Sequence, residues 1–291
     1  MNFLNFLISG ISLGSVYAII ALGYTMVYGI AKMLNFAHGD VIMVGAYACF
    51  FMAQKFGLPA IVSVIIAMAA CTLLGIIIEG LAYKPLRSAP KLAVLITAIG
   101  VSYFLQNAAQ VLWSTNPKVF SSIVGDGVIH LGEIPVTYVT IVTVVCCVAI
   151  MIGLTLFINH TKVGKAMRAC SEDKDAARLM GIDVDKTIST TFAIGSALAA
   201  VAGVLYMSAF PILTPTAGSM PGIKAFTAAV FGGIGSIPGA FLGGILLGVI
   251  ENLAKAYIST ELSDAIVFAV LIIVLLVKPA GLLGKQIREK V

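Results

Sequence analysis

Three polar residues that could bind a solute lie close together between two apolar stretches. Asn35, His38 and Asp40 share one short segment, and Gly39 separates the last two. If this segment lies inside a membrane, its ionisable side chains indicate function, because they are costly to hold there. Gly39 would let a helix break and expose backbone groups to a solute. A short polar turn at the membrane surface is the other interpretation, and residue types alone leave both open.

Other charged residues within apolar stretches have a structural explanation. Glu251 and Lys255 are four residues apart with the acid first, the favourable order for a pair on one helix face. We therefore expect an ion pair near the end of a span. Glu79, close to Lys84 at the end of another apolar run, has the same interpretation.

Residues for catalysis or metal binding do not cluster in the sequence. The three histidines are scattered, and none has a nearby cysteine to complete a metal site. The segment 281–286 lacks both the spacing and the Ser/Thr of a phosphate-binding Walker loop. We expect no catalytic residue, no metal and no cofactor in this chain. Energy for any transport must come from an ion gradient or from another polypeptide.

Composition places these residues in a membrane protein. Of 291 residues, 60% are hydrophobic and 11% are charged, whereas soluble domains carry about 25% charged residues. Each membrane crossing by a helix needs about 20 predominantly apolar residues. The sequence therefore predicts an all-α, polytopic transmembrane bundle, with residues 1–291 forming one domain. No nucleic-acid partner is implied.

Nine apolar runs predict about eight or nine membrane segments. Two of them, 41–52 and 223–234, are too short to cross unaided and predict helices broken at membrane depth or re-entrant pieces. The runs cover 3–30, 41–52, 59–83, 92–113, 135–158, 187–210, 223–234, 238–258 and 262–277.

Basic residues predict the topology of the chain. Thirteen of the 18 lie in 84–91, 162–186 and 278–290, and loops rich in Lys and Arg stay in the cytoplasm. We therefore expect a cytoplasmic loop at about 159–186 and an external loop at about 114–135. A cytoplasmic C-terminal tail requires an odd number of membrane crossings after residue 186. Either 223–234 counts as a crossing, or another segment is re-entrant.

The central basic loop contains signals for a short helix at about 172–180. Ser171 is a plausible N-cap, with Glu172 and Asp173 in the first turn, Arg178 in the last and Gly181 at the end. A helix this short needs a surface to rest on. That surface is either the cytoplasmic helix ends or a separate soluble partner, and the residues leave both open.

Small residues recur every four positions in the last third of the chain. This spacing lets helix backbones approach closely in lipid and predicts tight packing, with a moving gate as the alternative. Pro238 interrupts the pattern, so two helical pieces should meet there. The two series are Gly232, Ser236, Ala240, Gly244, Gly248 and Gly235, Gly239, Gly243.

Three motifs follow one another along the chain: Asn35-Phe-Ala-His-Gly-Asp40, Gly164-Lys-Ala-Met-Arg-Ala169, and Lys224-Ala-Phe-Thr-Ala-Ala-Val230 followed by Gly232–Ala240. They resemble those of LivH-type permease subunits of branched-chain amino acid ABC importers, and the likeness runs from about residue 7 to 284. The resemblance implies an inner-membrane subunit that pairs with a LivM-like permease and two cytoplasmic LivG/LivF-like ATP-binding subunits. A periplasmic amino-acid-binding protein would deliver the substrate, and ATP would be bound by the partner subunits.

The same resemblance implies roles for individual residues. The central loop is similar to the ATPase-coupling segment of such permeases, although aspartate replaces glutamate and a later Ile-x-Leu-Pro portion is missing. Its coupling residues would be Arg168, Ala169, Glu172, Asp175, Ala176, Ala177 and Gly181. The substrate pathway would include Asn35, His38, Gly39, Asp40, Gly235 and Pro238.

Two other function classes fit parts of the sequence. An ion-driven secondary amino acid transporter would place Asp40 or Glu251 in an ion site. An intramembrane enzyme would use His38 and Asp40 but has no third convergent group. The exact solute, whether a branched-chain amino acid, another amino acid, an amide or urea, is left open.

Overall fold

The computed structural model describes residues 2–87, 89–125, 127–131 and 134–284. The fold is a bundle of membrane helices, as the sequence predicts. The helices are α1 (Asn2–Ala31), α2 (His38–Phe50), α3 (Ala60–Ile78), α4 (Lys91–Trp113), α5 (Tyr138–His160), α6 (Lys162–Glu172), α7 (Lys174–Leu179), α8 (Val184–Ala209), α9 (Ser219–Gly232), α10 (Ile237–Tyr257) and α11 (Ser263–Val277).

Within the described residues, six helical segments are long and apolar enough to cross a membrane. They correspond to α1, α4, α5, α8, α10 and α3 with its extension to Leu86. That extension is a π-helical turn, Glu79–Tyr83, followed by a 3₁₀ turn, Lys84–Leu86. Helix α11 is apolar but shorter.

The two ends of the bundle differ in character. The basic end carries the turn at Arg87 together with α6 and α7, and Arg87 pairs there with Asp185 in the first turn of α8. The far end carries short antiparallel strands. Strand β1 (Lys118–Val119) pairs with β4 (Ile212–Leu213), and β2 (Val128–Leu131) pairs with β3 (Ile134–Thr137).

Two helices are too short to cross and run from the interior toward opposite ends. Helix α2 has 13 residues and α9 has 14, about 20 Å each at 1.5 Å per residue. A π-helical turn, Phe51–Lys55, extends α2 toward the far end, where its Tyr47 stacks on Trp113 with ring centroids 4.4 Å apart. Helices α2 and α9 correspond to the predicted short runs 41–52 and 223–234.

Small residues hold α1 and α10 together in antiparallel contact. A β-carbon built at Gly14 would lie 2.6 Å from the carbonyl oxygen of Ile245, and one at Gly10 would lie 2.9 Å from Cα of Val249. Gly244 and Gly248 face Ala18 and Gly14 in the same way. In the second series, Gly239 and Gly243 face α9 instead, at Gly232 and Ala228. The predicted tight packing is therefore confirmed on two faces of α10.

The predicted helix near 172–180 is displaced in the structure. Glu172 is the last residue of α6, and Ser171 donates to the carbonyl of Arg168 in that helix. Asp173 is the N-cap of α7, because its side chain accepts the amides of Asp175 and Ala176. The expected N-cap at Ser171 is therefore wrong, because α6 continues through Glu172 and the predicted helix begins two residues later than expected, at Lys174. Gly181 ends α7 with φ +83°, as predicted.

Replacing Gly248 with leucine tests the backbone packing. The added side chain would meet Gly14 at its Cα, so Gly248→Leu should lower the melting temperature of the detergent-purified protein, since overpacking costs about 1–3 kcal/mol or more. Gly100→Leu is the matched control, because nothing lies within 4 Å of a β-carbon built there. Equal melting temperatures for the two variants would contradict the packing account.

Candidate functional site

The first turns of α2 and α9 meet inside the bundle. A β-carbon built at Gly39 would lie 2.7 Å from the carbonyl oxygen of Gly218, and one at Gly222 would lie 2.8 Å from Cα of Gly39. The N-termini of two half-length helices therefore touch through glycine backbone. Each helix N-terminus has a partial positive charge, so this contact favours negative charge nearby.

Asp40 supplies that negative charge. It lies in the first turn of α2 and is 1% exposed. Gln106 of α4 donates from Nε2 to its Oδ1 at 2.9 Å. The same amide nitrogen lies 3.1 Å from Oγ of Ser219 and 3.2 Å from Oγ of Ser102. One glutamine thus links the first turns of both half-helices.

His38 packs into the protein rather than joining this polar cluster. Its ring makes an edge contact with Tyr24 at a centroid distance of 4.7 Å. A β-carbon at Gly23 of α1 would lie 2.5 Å from its Nε2. Among the described residues that nitrogen has no hydrogen-bond partner. The geometry fits a packing role against α1.

Asn35 lies on the linker between α1 and α2, on the basic side of the cluster. Its Oδ1 accepts from the Tyr83 hydroxyl at 2.9 Å. A neighbouring cavity of about 10 Å³, bounded in part by Tyr24, Phe226 and Ile234, holds about one water. This space is too small for an amino acid.

Gly235 and Pro238 lie at the basic end, in and after the turn between α9 and α10. Gly235 has φ +95° and approaches Gly29. A β-carbon built at Gly29 would lie 3.3 Å from the Cα of Gly235. Pro238 is in the first turn of α10, which Ser236 caps by accepting the Gly239 amide. Two helical pieces meet here, as predicted. The residues predicted for the substrate pathway therefore form two groups. Asn35, His38, Gly39 and Asp40 lie at the start of α2, and Gly235 and Pro238 lie at the turn between α9 and α10.

A buried ion network holds α9 to α10 and α11. The Glu251 carboxylate accepts from Lys224 at 2.8 Å, from Lys255 at 2.6 Å and from the Tyr17 hydroxyl at 2.9 Å. Lys224 also bonds Asp264 at 2.6 Å. The predicted pair of Glu251 and Lys255 is present, and Lys224 enlarges it. Because opposite charges balance, the network is suited to fixing α9 in place.

A second ion network joins α3 to α8 at the basic end. Arg87 pairs with both Glu79 and Asp185, and Ser189 donates to Glu79 at 2.6 Å. Lys84, expected beside Glu79, instead lies 3.4 Å from Asp185. Arg87 takes the place beside Glu79 that was expected for Lys84.

The residues predicted to couple to an ATPase divide into two groups. Ala177 is 3% exposed and packs against the protein, and Ala169 is half-buried. The remaining predicted residues are exposed: Arg168, Glu172, Asp175, Ala176 and Gly181. The structure also exposes Leu179 and Met180, at 89% and 82%, which sequence reasoning did not select.

Several contributors to these sites have weak sequence signals. Gln106 and Lys224 are polar residues within apolar helices, and that isolation could have marked them. Ser219 and Lys174 carry no such signal. Their partners, Gln106 for Ser219 and the carbonyl of Ala31 for Lys174, are distant in sequence.

Comparisons with known proteins agree on the family. Residues 6–275 match the family model described as the permease component of branched-chain amino acid transport systems. The chain is 46% identical to the high-affinity branched-chain amino acid transport system permease protein LivH of Salmonella typhimurium, covering 100% of this chain and 98% of that one. It is 42% identical to the corresponding protein BraD of Pseudomonas aeruginosa, with the same coverage.

A solved structure shares the fold. PsaBC from Streptococcus pneumoniae, in complex with Fab, superposes with a TM-score of 0.51 at 16% identity, covering 96% of this chain and 93% of that one. This likeness concerns the fold alone. The family match and the full-length relatives decide the assignment: the chain belongs to the permease-component family of branched-chain amino acid transport systems.

Proposed function

We propose that this chain is the membrane-spanning permease subunit of an ATP-driven importer of branched-chain or related hydrophobic amino acids in the cell inner membrane. It forms half of the translocation pathway with a homologous permease. Two cytoplasmic ATP-binding subunits supply ATP hydrolysis, and a periplasmic binding protein delivers the amino acid. The names of the full-length relatives support the substrate class.

The exposed apolar end of α7 carries the coupling part of the proposal. Leu179 and Met180 are almost fully exposed, next to the charged residues Asp175 and Arg178. Basic loops face the cytoplasm, so these apolar side chains project into water rather than lipid. Burying one such side chain contributes about 1.5–3 kcal/mol. A groove on an ATP-binding subunit is the partner that we propose covers them.

The contact of half-helices supports a pathway near Asp40. Helices broken at mid-membrane place polar backbone and side chains where a solute crosses. The amino group of a zwitterionic amino acid needs an acceptor there, and Asp40 is a buried carboxylate with Gln106 and Ser219 beside it. We propose that this cluster contacts the amino acid after the α2–α9 junction opens.

The ion-driven alternative keeps one candidate site and loses support at the other. Glu251 already accepts from Lys224, Lys255 and Tyr17. A carboxylate with three donors has little capacity left for a transported cation. Asp40 remains the candidate in that alternative.

Energy dependence separates the two functions directly. In proteoliposomes containing the permease pair and ATP-binding subunits, leucine uptake should require ATP inside and a binding protein outside. Uptake should persist when an uncoupler removes the proton gradient while ATP is held constant. Uptake that collapses with the uncoupler, at unchanged ATP, would support the ion-driven alternative instead.

Charge on the exposed end of α7 tests docking. Leu179→Asp combined with Met180→Asp should reduce co-purification of the ATP-binding subunits and abolish uptake, because two charged groups would enter an apolar contact. Conservative Leu179→Met with Met180→Leu is the control and should retain both. Ala177 is a poorer probe, since its burial means that a bulky substitution disrupts the permease itself. Full uptake by the aspartate variant would contradict docking at this surface.

Removing the charge of Asp40 tests the pathway. Asp40→Asn retains the size of the side chain, so the transporter should assemble and hydrolyse ATP. Leucine uptake should fall about tenfold or more, since hydrogen bonds to charged groups contribute about 1.5–3 kcal/mol. Asn107→Ala is the control, because Asn107 is exposed on the same helix as Gln106 and bonds its own backbone at Tyr103. Unchanged uptake by Asp40→Asn would exclude this carboxylate from the pathway.

A further inference from the structure

One lysine joins the short cytoplasmic helix α7 to the end of α1, one of the two most buried spans among the described residues. Lys174, the first residue of α7, donates from Nζ to the carbonyl oxygen of Ala31 at 2.6 Å. Ala31 is the last residue of α1. The last carbonyls of a helix have no partner within it and must be satisfied from outside. Lys174 supplies a charged donor to one of them.

The bonded carbonyl lies where α1 ends and the linker to α2 begins. Lys32, the next residue, has φ +57°, and its amide still bonds the carbonyl of Tyr28. Beyond it the chain is non-helical until α2 starts at His38. Two residues further on is Asp40, so only a short linker separates the Lys174 contact from the proposed pathway.

The environment of Lys174 supports a specific contact. Its side chain is half-buried between two parts of the chain. Burial lowers the pKa of the Lys174 ammonium from its usual value, and the nearby Arg87 and Lys32 lower it further. An ammonium group with cationic neighbours gains from a carbonyl acceptor, so the bond to Ala31 offsets part of this cost.

Arg178, the other basic residue of α7, is placed differently. It lies 3.8 Å from Asp175 in its own helix and 3.9 Å from Asp185 in α8, and it is mostly exposed. Exposed pairs at this separation contribute little. Within the described residues, Lys174 is thus the α7 side chain with a short bond to the α1 terminus.

We infer that Lys174 is the positioning residue that transmits movement of α7 to the linker 32–37 and so to the first turn of α2. When an ATP-binding subunit moves α7, the Lys174 bond carries the end of α1 with it. The linker then shifts Asp40 relative to Gln106 and Ser219. This inference rests on the proposed function, because it needs an ATPase to move α7.

Loss of the bond should separate ATP hydrolysis from uptake. In the reconstituted complete transporter, Lys174→Met should leave the ATP-binding subunits attached and hydrolysing ATP, while leucine taken up per ATP falls about tenfold, a typical coupling between two sites. Lys174→Arg can still donate to Ala31 and should restore most of the ratio. Lys162→Met, an exposed lysine at the start of α6, is the matched control and should behave as wild type.

The outcomes distinguish this inference from the proposed function. An unchanged ratio in Lys174→Met, with uptake still driven by ATP, overturns the role of Lys174 and leaves the importer intact. Loss of the ATP-binding subunits from Lys174→Met also overturns it, because the lysine would then act in docking. Wild-type uptake that needs no ATP overturns the proposed function itself.

A chemical probe in the linker provides a second readout that a purely structural lysine would not affect. Leu34→Cys places a thiol at a half-buried linker position, and a parallel preparation without it corrects for the five native cysteines. ATP binding should change the rate at which a maleimide modifies this thiol. The change should disappear in Leu34→Cys with Lys174→Met and return with Lys174→Arg. An ATP-dependent change of equal size with Lys174→Met would refute the transmission role.

Discussion

Backbone groups inside a membrane must find partners without water, and this constraint governs the centre of the bundle. Two half-helices start there, and the first amides of any helix lack intrahelical acceptors. The turns before them supply acceptors: the carbonyls of Asn35 and Ala37 bond the first amides of α2, and Thr216 bonds the first amide of α9. Pro221, in the first turn of α9, has no amide hydrogen to satisfy. Asp40 then meets the combined positive ends of two helices, and this arrangement makes a buried carboxylate tolerable.

The elements around this junction differ in how firmly they are fixed. Helices α1 and α10 pack backbone to backbone through small residues, and the network around Glu251 holds α9 against α10 and α11. The linker 32–37 is non-helical and is held by the bond of Asn35 to Tyr83 and by the packing of Phe36 on Phe226. The bundle therefore combines a closely packed frame with a short non-helical linker that leads to Asp40. Helix α7 contacts the end of α1, directly before this linker, at the carbonyl of Ala31.

Sequence patterns predicted features that depend on local spacing. Apolar run length identified both half-helices, and four-residue spacing identified the pair of Glu251 and Lys255. Local signals failed where two solutions are close in energy. Ser171 and Asp173 are both good N-caps, and the choice of Asp173 follows from α6 continuing through Glu172. Contacts such as those of Lys174 could not be predicted, because they join residues far apart in sequence and depend on how the helices pack.

Coupling through α7 requires this helix to lie in the cytoplasm, and the most direct measurement is the side of the membrane from which its end can be labelled. A membrane-impermeant maleimide is applied to right-side-out and inverted vesicles containing Leu179→Cys, with Lys118→Cys in β1 as the marker for the opposite side. The signal of the native cysteines is subtracted from vesicles containing the unmodified protein. The account predicts labelling of Leu179→Cys in inverted vesicles and of Lys118→Cys in right-side-out vesicles. Labelling of Leu179→Cys from the periplasmic side would contradict it, since no cytoplasmic ATPase could then reach α7.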